Sequence, residues 1–171
     1  MMSFADERED DIPAIREVVT AAFGRTSEAK LIEAIRNSSN FIPELSIVAV
    51  EEGNVLGHIL FSSIVIEAQG QTVPALALAP LAVIPGRQRQ GIGSQLVQTG
   101  LSKCRDLGHS VVVVLGNPHY YQHFGFQTAS KFGIRAPFLV PDEAFMVLEL
   151  KLNALIGLKG IVRYPPYFDE V

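Results

Sequence analysis

The stretch Leu81-Ala82-Val83-Ile84-Pro85-Gly86-Arg87-Gln88-Arg89-Gln90-Gly91-Ile92-Gly93-Ser94 decides the reading of this chain. It joins the end of an apolar run to the start of an amphipathic one. Downstream, Ile92, Leu96, Val97, Leu101 and Cys104 recur at helical spacing, so a helix is predicted over 92–106, ended by Gly108. Val111 to Leu115 then reads as a short buried strand. Strand, helix and strand in this order make a right-handed crossover between two parallel strands. Upstream the period is two. Leu45 to Val50, Val55 to Ile66 and Val73 to Ile84 read as strands, with turns at Glu51-Glu52-Gly53-Asn54 and Ala68 to Gln71. These three form an antiparallel meander. Pro80 lies inside the third, where it cannot donate a ladder hydrogen bond, and it predicts a bulge or a splayed edge. The fold class is α/β of the α+β kind: a mixed, mostly antiparallel sheet flanked by helices.

The loop has a chemistry of its own. A strand-to-helix junction exposes unpaired backbone N–H groups at the positive end of a helix dipole. Gly91 and Gly93 leave an approaching anion unobstructed. Arg87 and Arg89 add positive charge, and the arrangement fits a pyrophosphate. A dinucleotide fingerprint would want a third glycine where Leu96 stands, and a P-loop would end Gly-Lys-Ser/Thr rather than Gly-Ile-Gly-Ser. Taken alone, the segment reads equally well as a tight turn whose glycines only permit close packing.

Composition narrows the partners. The chain has 171 residues, 48% of them hydrophobic, and a net charge of -4. At this length a single domain buries about 68–70% of its unfolded surface. Residues 68–141 carry six basic side chains against one acid, a net of +5, and the remainder carries −9. That pattern excludes a long polyanion as the main ligand but permits a small anion at the basic segment. Cys104 is the sole cysteine, which suits a reducing cytoplasmic setting. The opening MMSFADEREDD has no apolar core and reads as neither signal nor transit peptide. Its acids, Asp6 to Asp11, read as a solvated turn and helix cap. The apolar part of the charge-free run 68–86 is too short for a membrane span.

The rest of the chain supplies helices and a tail. Asp10 or Asp11 with Pro13 reads as a helix start, followed by Ile12, Ile15, Val18, Val19 and Ala22 at helical spacing. A second helix starts at Thr26 or Ser27. Pro118 to Phe124 reads as a short helix stopped by Gly125, and Ala144 to Leu152 as a last strand. The tail Gly160 to Val171, with Pro165-Pro166, reads as an ordered lid or edge.

Two motifs together resemble the GNAT N-acetyltransferases. The first is Gln88-x-x-Gly91-x-Gly93 after Leu81 to Pro85, which looks like that family's acetyl-CoA loop. The second follows Val111 to Leu115: Asn117-Pro118-His119-Tyr120-Tyr121-Gln122-His123-Phe124-Gly125-Phe126. Tyr-Tyr-x-x-Phe-Gly-Phe and the ending Val162-Arg163-Tyr164-Pro165 are similar to the YhbS-like branch. The resemblance covers essentially the whole chain. It implies a central sheet of about seven strands with splayed parallel strands 4 and 5, and about four helices. It implies a domain over 1–152 with a C-terminal extension, 153–171, packed on it. Acetyl-CoA is implied as co-substrate, its pantetheine on the backbone of Leu81, Ala82 and Val83. Its pyrophosphate would meet the amides of Gln88, Arg89, Gln90, Gly91, Ile92, Gly93 and Ser94, and Asn117 would touch the cofactor arm. The reaction implied is direct attack of a primary amine on the thioester, with Tyr121 as general acid toward the leaving sulfur. The acceptor is a small-molecule or peptide amine, with Phe23 to Ser27 and Tyr164 to Phe168 as candidate lining. Neither nucleic acid nor membrane is implied, and a homodimer is left open because many members form one.

Other constellations carry less. Many members have a carboxylate on the strand before the loop; this chain has Ala75-Leu76-Ala77-Leu78-Ala79 there. His119, His58 and Glu67 are titratable alternatives, and none is assigned as base. Cys104 falls on the apolar stripe of its helix and reads as a small hydrophobe. His119 and His123 lack the glutamate and third ligand of a zinc site, so no metal is expected. The competing function is a non-catalytic acyl-CoA-binding sensor or interaction module, favoured by the missing strand carboxylate.

Overall fold

Two hairpin turns set the register of the sheet. In each, both central residues have positive φ: Glu52 (51°) and Gly53 (80°), then Gln69 (52°) and Gly70 (78°). That geometry matches the right-handed twist of the flanking strands, so the chain reverses tightly without splaying them. The computed structural model describes residues 1–170; Val171, the last residue of the tail, lies outside the described residues.

The strands are β1 (Met2–Asp6), β2 (Ser46–Glu51), β3 (Asn54–Ala68), β4 (Gln71–Val83), β5 (Val111–Leu115), β6 (Gln127–Thr128), β7 (Ile134–Arg135), β8 (Phe145–Glu149) and β9 (Gly160–Arg163). The helices are α1 (Ile12–Phe23), α2 (Ser27–Arg36), α3 (Ile92–Asp106) and α4 (Pro118–Tyr121). Hydrogen-bonded order in the sheet is β1-β2-β3-β4-β5-β8-β6, with β9 joined to β3 and β7. β4 and β5 are parallel, in register at Leu76↔Val112 and Ala77↔Val113, as the crossover requires. Among the described residues the sheet has nine strands against the seven or so expected, the two extra being the two-residue strands β6 and β7.

The chain divides into two compact units. One comprises residues 1–62, 79–103 and the chain from 166 onward. In it α1 and α2 bury Ile15, Val18, Val19, Leu31, Ile32 and Ile35 against Val48, Leu60 and Ala82. Tyr167 and Phe168 of the tail pack on the same cluster, and the Tyr167 hydroxyl donates to Asn40 at 2.9 Å. The tail is therefore β9, a strand flanked by β3 and β7, followed by a 3-10 turn over Pro166–Glu170 that serves as a buttress. The other unit comprises residues 63–78 and 104–165, with β5 and β8 paired from Val111↔Glu149 to Leu115↔Phe145.

The N-terminus corrects the sequence reading. It forms β1, paired with β2 from Met2↔Glu51 to Asp6↔Ile47. Glu7 is not a solvated acid: its side chain is 8% exposed and holds Arg36 through two bonds of 2.9 Å. Asp11 precedes α1, but its carboxylate accepts from the Arg8 amide at 2.8 Å instead of capping α1. Thr26 likewise precedes α2 without a side-chain cap.

Candidate active site

In the first unit, β4 ends where the Ile84 amide donates to Leu56 O at 2.8 Å. Pro85–Arg87 form one 3-10 turn, and the chain then bends twice through the left-handed region, at Arg89 (φ 64°) and Gly91 (φ 85°). Such a conformation costs an L residue roughly 1–2 kcal/mol, so Gly91 suits its place and Arg89 is held there by the loop. Helix α3 begins at Ile92, and the Gln95 amide reaches Gly91 O at 3.1 Å. The amides of Ile92, Gly93 and Ser94 thus belong to the opening turn, which has no intrahelical acceptor for them. Leu81, Ala82, Val83 and Gln88 to Ser94 consequently form one strand, loop and helix start.

Side chains brace that loop. The Gln88 Nε2 donates to Val83 O at 3.0 Å, folding the loop back on its strand. Arg87 does not reach outward: it bonds Glu51 Oε1 at 3.1 Å and Gln90 Oε1 at 2.8 Å. The Arg87 hydrogen bond holds the Glu51 carboxyl below its ordinary range, against the opposing effect of burial. Arg89 is exposed at the tip of the loop. Beneath the helix start, a Cβ on Gly57 would lie 3.0 Å from Leu96 Cδ1 and 3.1 Å from Ala82 O, so a glycine lets α3 sit close on β3.

In the second unit, β5 leads into a turn built around Asn117. Its Oδ1 accepts from the His119 amide at 2.9 Å, and its carbonyl accepts from the Tyr120 and Tyr121 amides at 3.1 Å each. With Pro118 in the first turn, this makes α4 a four-residue helix that aims Tyr121. Asn117 therefore spends its side-chain oxygen on capping, and only its amide N–H2 is left for a ligand. Tyr121 is 8% exposed. Its ring is wedged edge-on against Tyr120 (5.1 Å between centroids) and Phe126 (5.6 Å). Burial, aided by Tyr120, raises the phenol pKa well above its ordinary value. Among the described residues its hydroxyl takes part in no hydrogen bond.

Other candidates fall away on geometry. His58 is fully buried, donating to or accepting from Ser46 Oγ at 2.8 Å, and its Nδ1 has no partner. Glu67 bonds Arg163 at 3.2 Å. Cys104 is buried, and burial pushes its thiol up to about 12. No group of three or more metal-binding side chains occurs among the described residues, and no helix there is long and apolar enough to cross a membrane. In the suggested acceptor lining, Gly24 closes α1 in the left-handed region, and Arg25 holds the buried Glu28 at 2.9 Å and 2.5 Å. Tyr164 stacks on Phe138 at 5.9 Å.

Sequence reasoning missed Glu51 and Gly116. A partner 36 residues away leaves no local signal for Arg87, and the space that Gly116 provides is visible only once Tyr121 is placed.

A mixed sheet with this crossover, an amide-lined helix start and a tyrosine on the following turn defines an acyltransferase of the GNAT class, and the chain belongs to that family: its model for the acetyltransferase (GNAT) domain matches residues 5–129. Among particular relatives, the chain is 33% identical over 160 residues to the uncharacterized N-acetyltransferase YhbS of Escherichia coli, covering 94% of each. The crystal structure of YhbS in complex with CoA superposes with a TM-score of 0.90 at 32% identity, over 98% of this chain and 92% of that one. A GNAT family acetyltransferase from Brucella melitensis, in complex with acetyl-CoA, gives 0.81 at 32% identity over 99% of both.

Proposed function

We propose that the chain moves an acetyl group from acetyl-CoA to a primary amine by direct attack in a ternary complex. The observation that carries this reading is the strand–loop–helix over residues 81–94. Its opening-turn amides have no intrahelical partner, and Arg89 stands exposed beside them. Two relatives of the same fold that bind CoA and acetyl-CoA support the assignment of that segment to the co-substrate. Gln88, Arg89, Gln90, Gly91, Ile92, Gly93 and Ser94 meet the pyrophosphate; Leu81, Ala82 and Val83 meet the pantetheine. The Val83 carbonyl is shared with Gln88, so the free strand groups carry most of that contact. Asn117 contributes through its remaining amide N–H2.

In the reaction the amine nitrogen attacks the thioester carbonyl, the C–S bond breaks and the sulfur leaves. Tyr121 serves that sulfur. Its raised pKa keeps the phenol protonated at neutral pH and therefore a donor. A phenol, at about 10, is already a weaker acid than a free thiol, at about 8.5, and the rise widens that gap. The phenol accordingly acts as a hydrogen-bond donor first; its proton moves to the sulfur as the C–S bond opens, and water returns a proton to the phenolate. The amine proton leaves to water. No enzyme nucleophile is required, and Cys104 is unfit to be one, since the thiolate rather than the thiol attacks. The acceptor is a small-molecule or peptide amine. Residues 1–152 make the catalytic domain and 153–171 its extension, a reading supported by β9 pairing with β3 at Ile66↔Val162. The lone buried cysteine fits a cytoplasmic setting.

A free-thiol assay with acetyl-CoA and a panel of amines, peptides and amino sugars tests the proposal. Amine-dependent thiol release is expected. Saturable acetyl-CoA binding with no release on any acceptor would instead support the sensor reading, which rests on the run Ala75 to Ala79.

A further inference from the structure

We propose that Gly116 is a positioning residue for Tyr121: the absence of a side chain at the end of β5 is the seat in which the phenol ring lies. This deepens the reading of Tyr121 as donor to the leaving sulfur and rests on it. A Cβ built on Gly116 would fall 2.5 Å from Tyr121 Cε2, 3.1 Å from Cδ2 and 3.6 Å from Cζ. The first distance is far inside van der Waals contact, so one of the two must move. Gly116 is tied: its amide donates to Ala144 O at 2.9 Å. Tyr121 therefore yields, and the ring has few ways out. Tyr120 and Phe126 stand edge-on at 5.1 Å and 5.6 Å, and Phe124 is tilted at 6.5 Å. Its backbone is also fixed, since the Asn117 carbonyl accepts the Tyr121 amide. The crowded atoms are Cε2 and Cδ2, and Cε2 is bonded to the ring carbon that carries the hydroxyl. An error at Gly116 is thus delivered to the oxygen that must meet the sulfur, and a misplacement of about 1 Å costs about 10²-fold in rate.

The test is Gly116→Ala, alone and combined with two changes at Tyr121, with turnover and thermal unfolding read for each. Alone, Gly116→Ala should lower kcat by about 10²-fold while the KM for acetyl-CoA stays within about twofold. In a Tyr121→Phe background it should add no further loss, because the hydroxyl it misplaces is already gone. Independent of activity, it should lower the unfolding midpoint by about 4 °C in the parent and leave it unchanged in a Tyr121→Ala background, where the ring is absent. If Gly116→Ala does not fold alone, Gly116→Ala/Tyr121→Ala must fold; failure of both overturns the proposal. So does parent-like turnover of the single variant, an equal loss of turnover in the Phe background, or an equal thermal loss in the Ala background. Should Tyr121→Phe itself retain full turnover, the donor reading falls, and the thermal comparison still judges the seat.

Discussion

Arg87 and Arg89 are two residues apart in one loop and do different jobs. Arg87 is half-buried and tied to Glu51 and Gln90, so it shapes the loop. Arg89 is exposed, and in the proposed function it offers its charge to the pyrophosphate. Charge reversal, Arg89→Glu, should weaken acetyl-CoA binding by about tenfold or more while leaving kcat at saturation within about threefold, as titration calorimetry beside steady-state kinetics would show. Arg89→Gly separates charge from backbone: it removes the cation but accepts φ 64° without strain, so binding should fall while stability holds or rises. Equal binding by all three forms would remove Arg89 from the site. The sequence could not divide these arginines, because Glu51 belongs to another strand. It did mark the loop itself, since glycine spacing and the strand-to-helix change of period are local signals.

At the scale of elements, α3 and β5 have the bounds the periodicity predicts, because one apolar stripe and one continuous apolar run leave little freedom. β1 was illegible for the opposite reason. Most of its residues are exposed or half-buried, and backbone pairing with β2 alone makes it a strand. The packing of α3 on β3 turns on Gly100, where a Cβ would lie 2.3 Å from Cε1 of Phe61, a fully buried ring. Helix propensity favours alanine over glycine by about 1 kcal/mol. Overpacking costs about 1–3 kcal/mol and here wins, because Phe61 has no exposed side to move toward. Gly100→Ala should therefore lower the urea midpoint; a stabilised variant would show that the helix lifts freely from the strand.

For the molecule as a whole, the -4 net charge conceals both the basic segment at the loop and a buried polar cluster in the first unit. There Glu7 accepts from Arg36 and from Ser46 at 2.5 Å, and Ser46 bonds His58. Burial lowers the His58 pKa from near 6.5 to about 4, outweighing the attraction of Glu7, while Arg36 adds to the lowering. The unfolded chain thus binds a proton that the folded chain refuses. Stability is full above about pH 6.5 and declines toward pH 4, by about 3 kcal/mol from this residue. Unfolding curves across that window should show the decline, and His58→Gln should flatten it. None of this cluster is a motif, so only the fold reveals it. The reaction is tested most directly at Tyr121. With any acceptor that supports thiol release, kcat of Tyr121→Phe should fall by about 10²–10⁴-fold while the Kd for acetyl-CoA stays within about twofold; parent-like turnover in that variant would contradict the account.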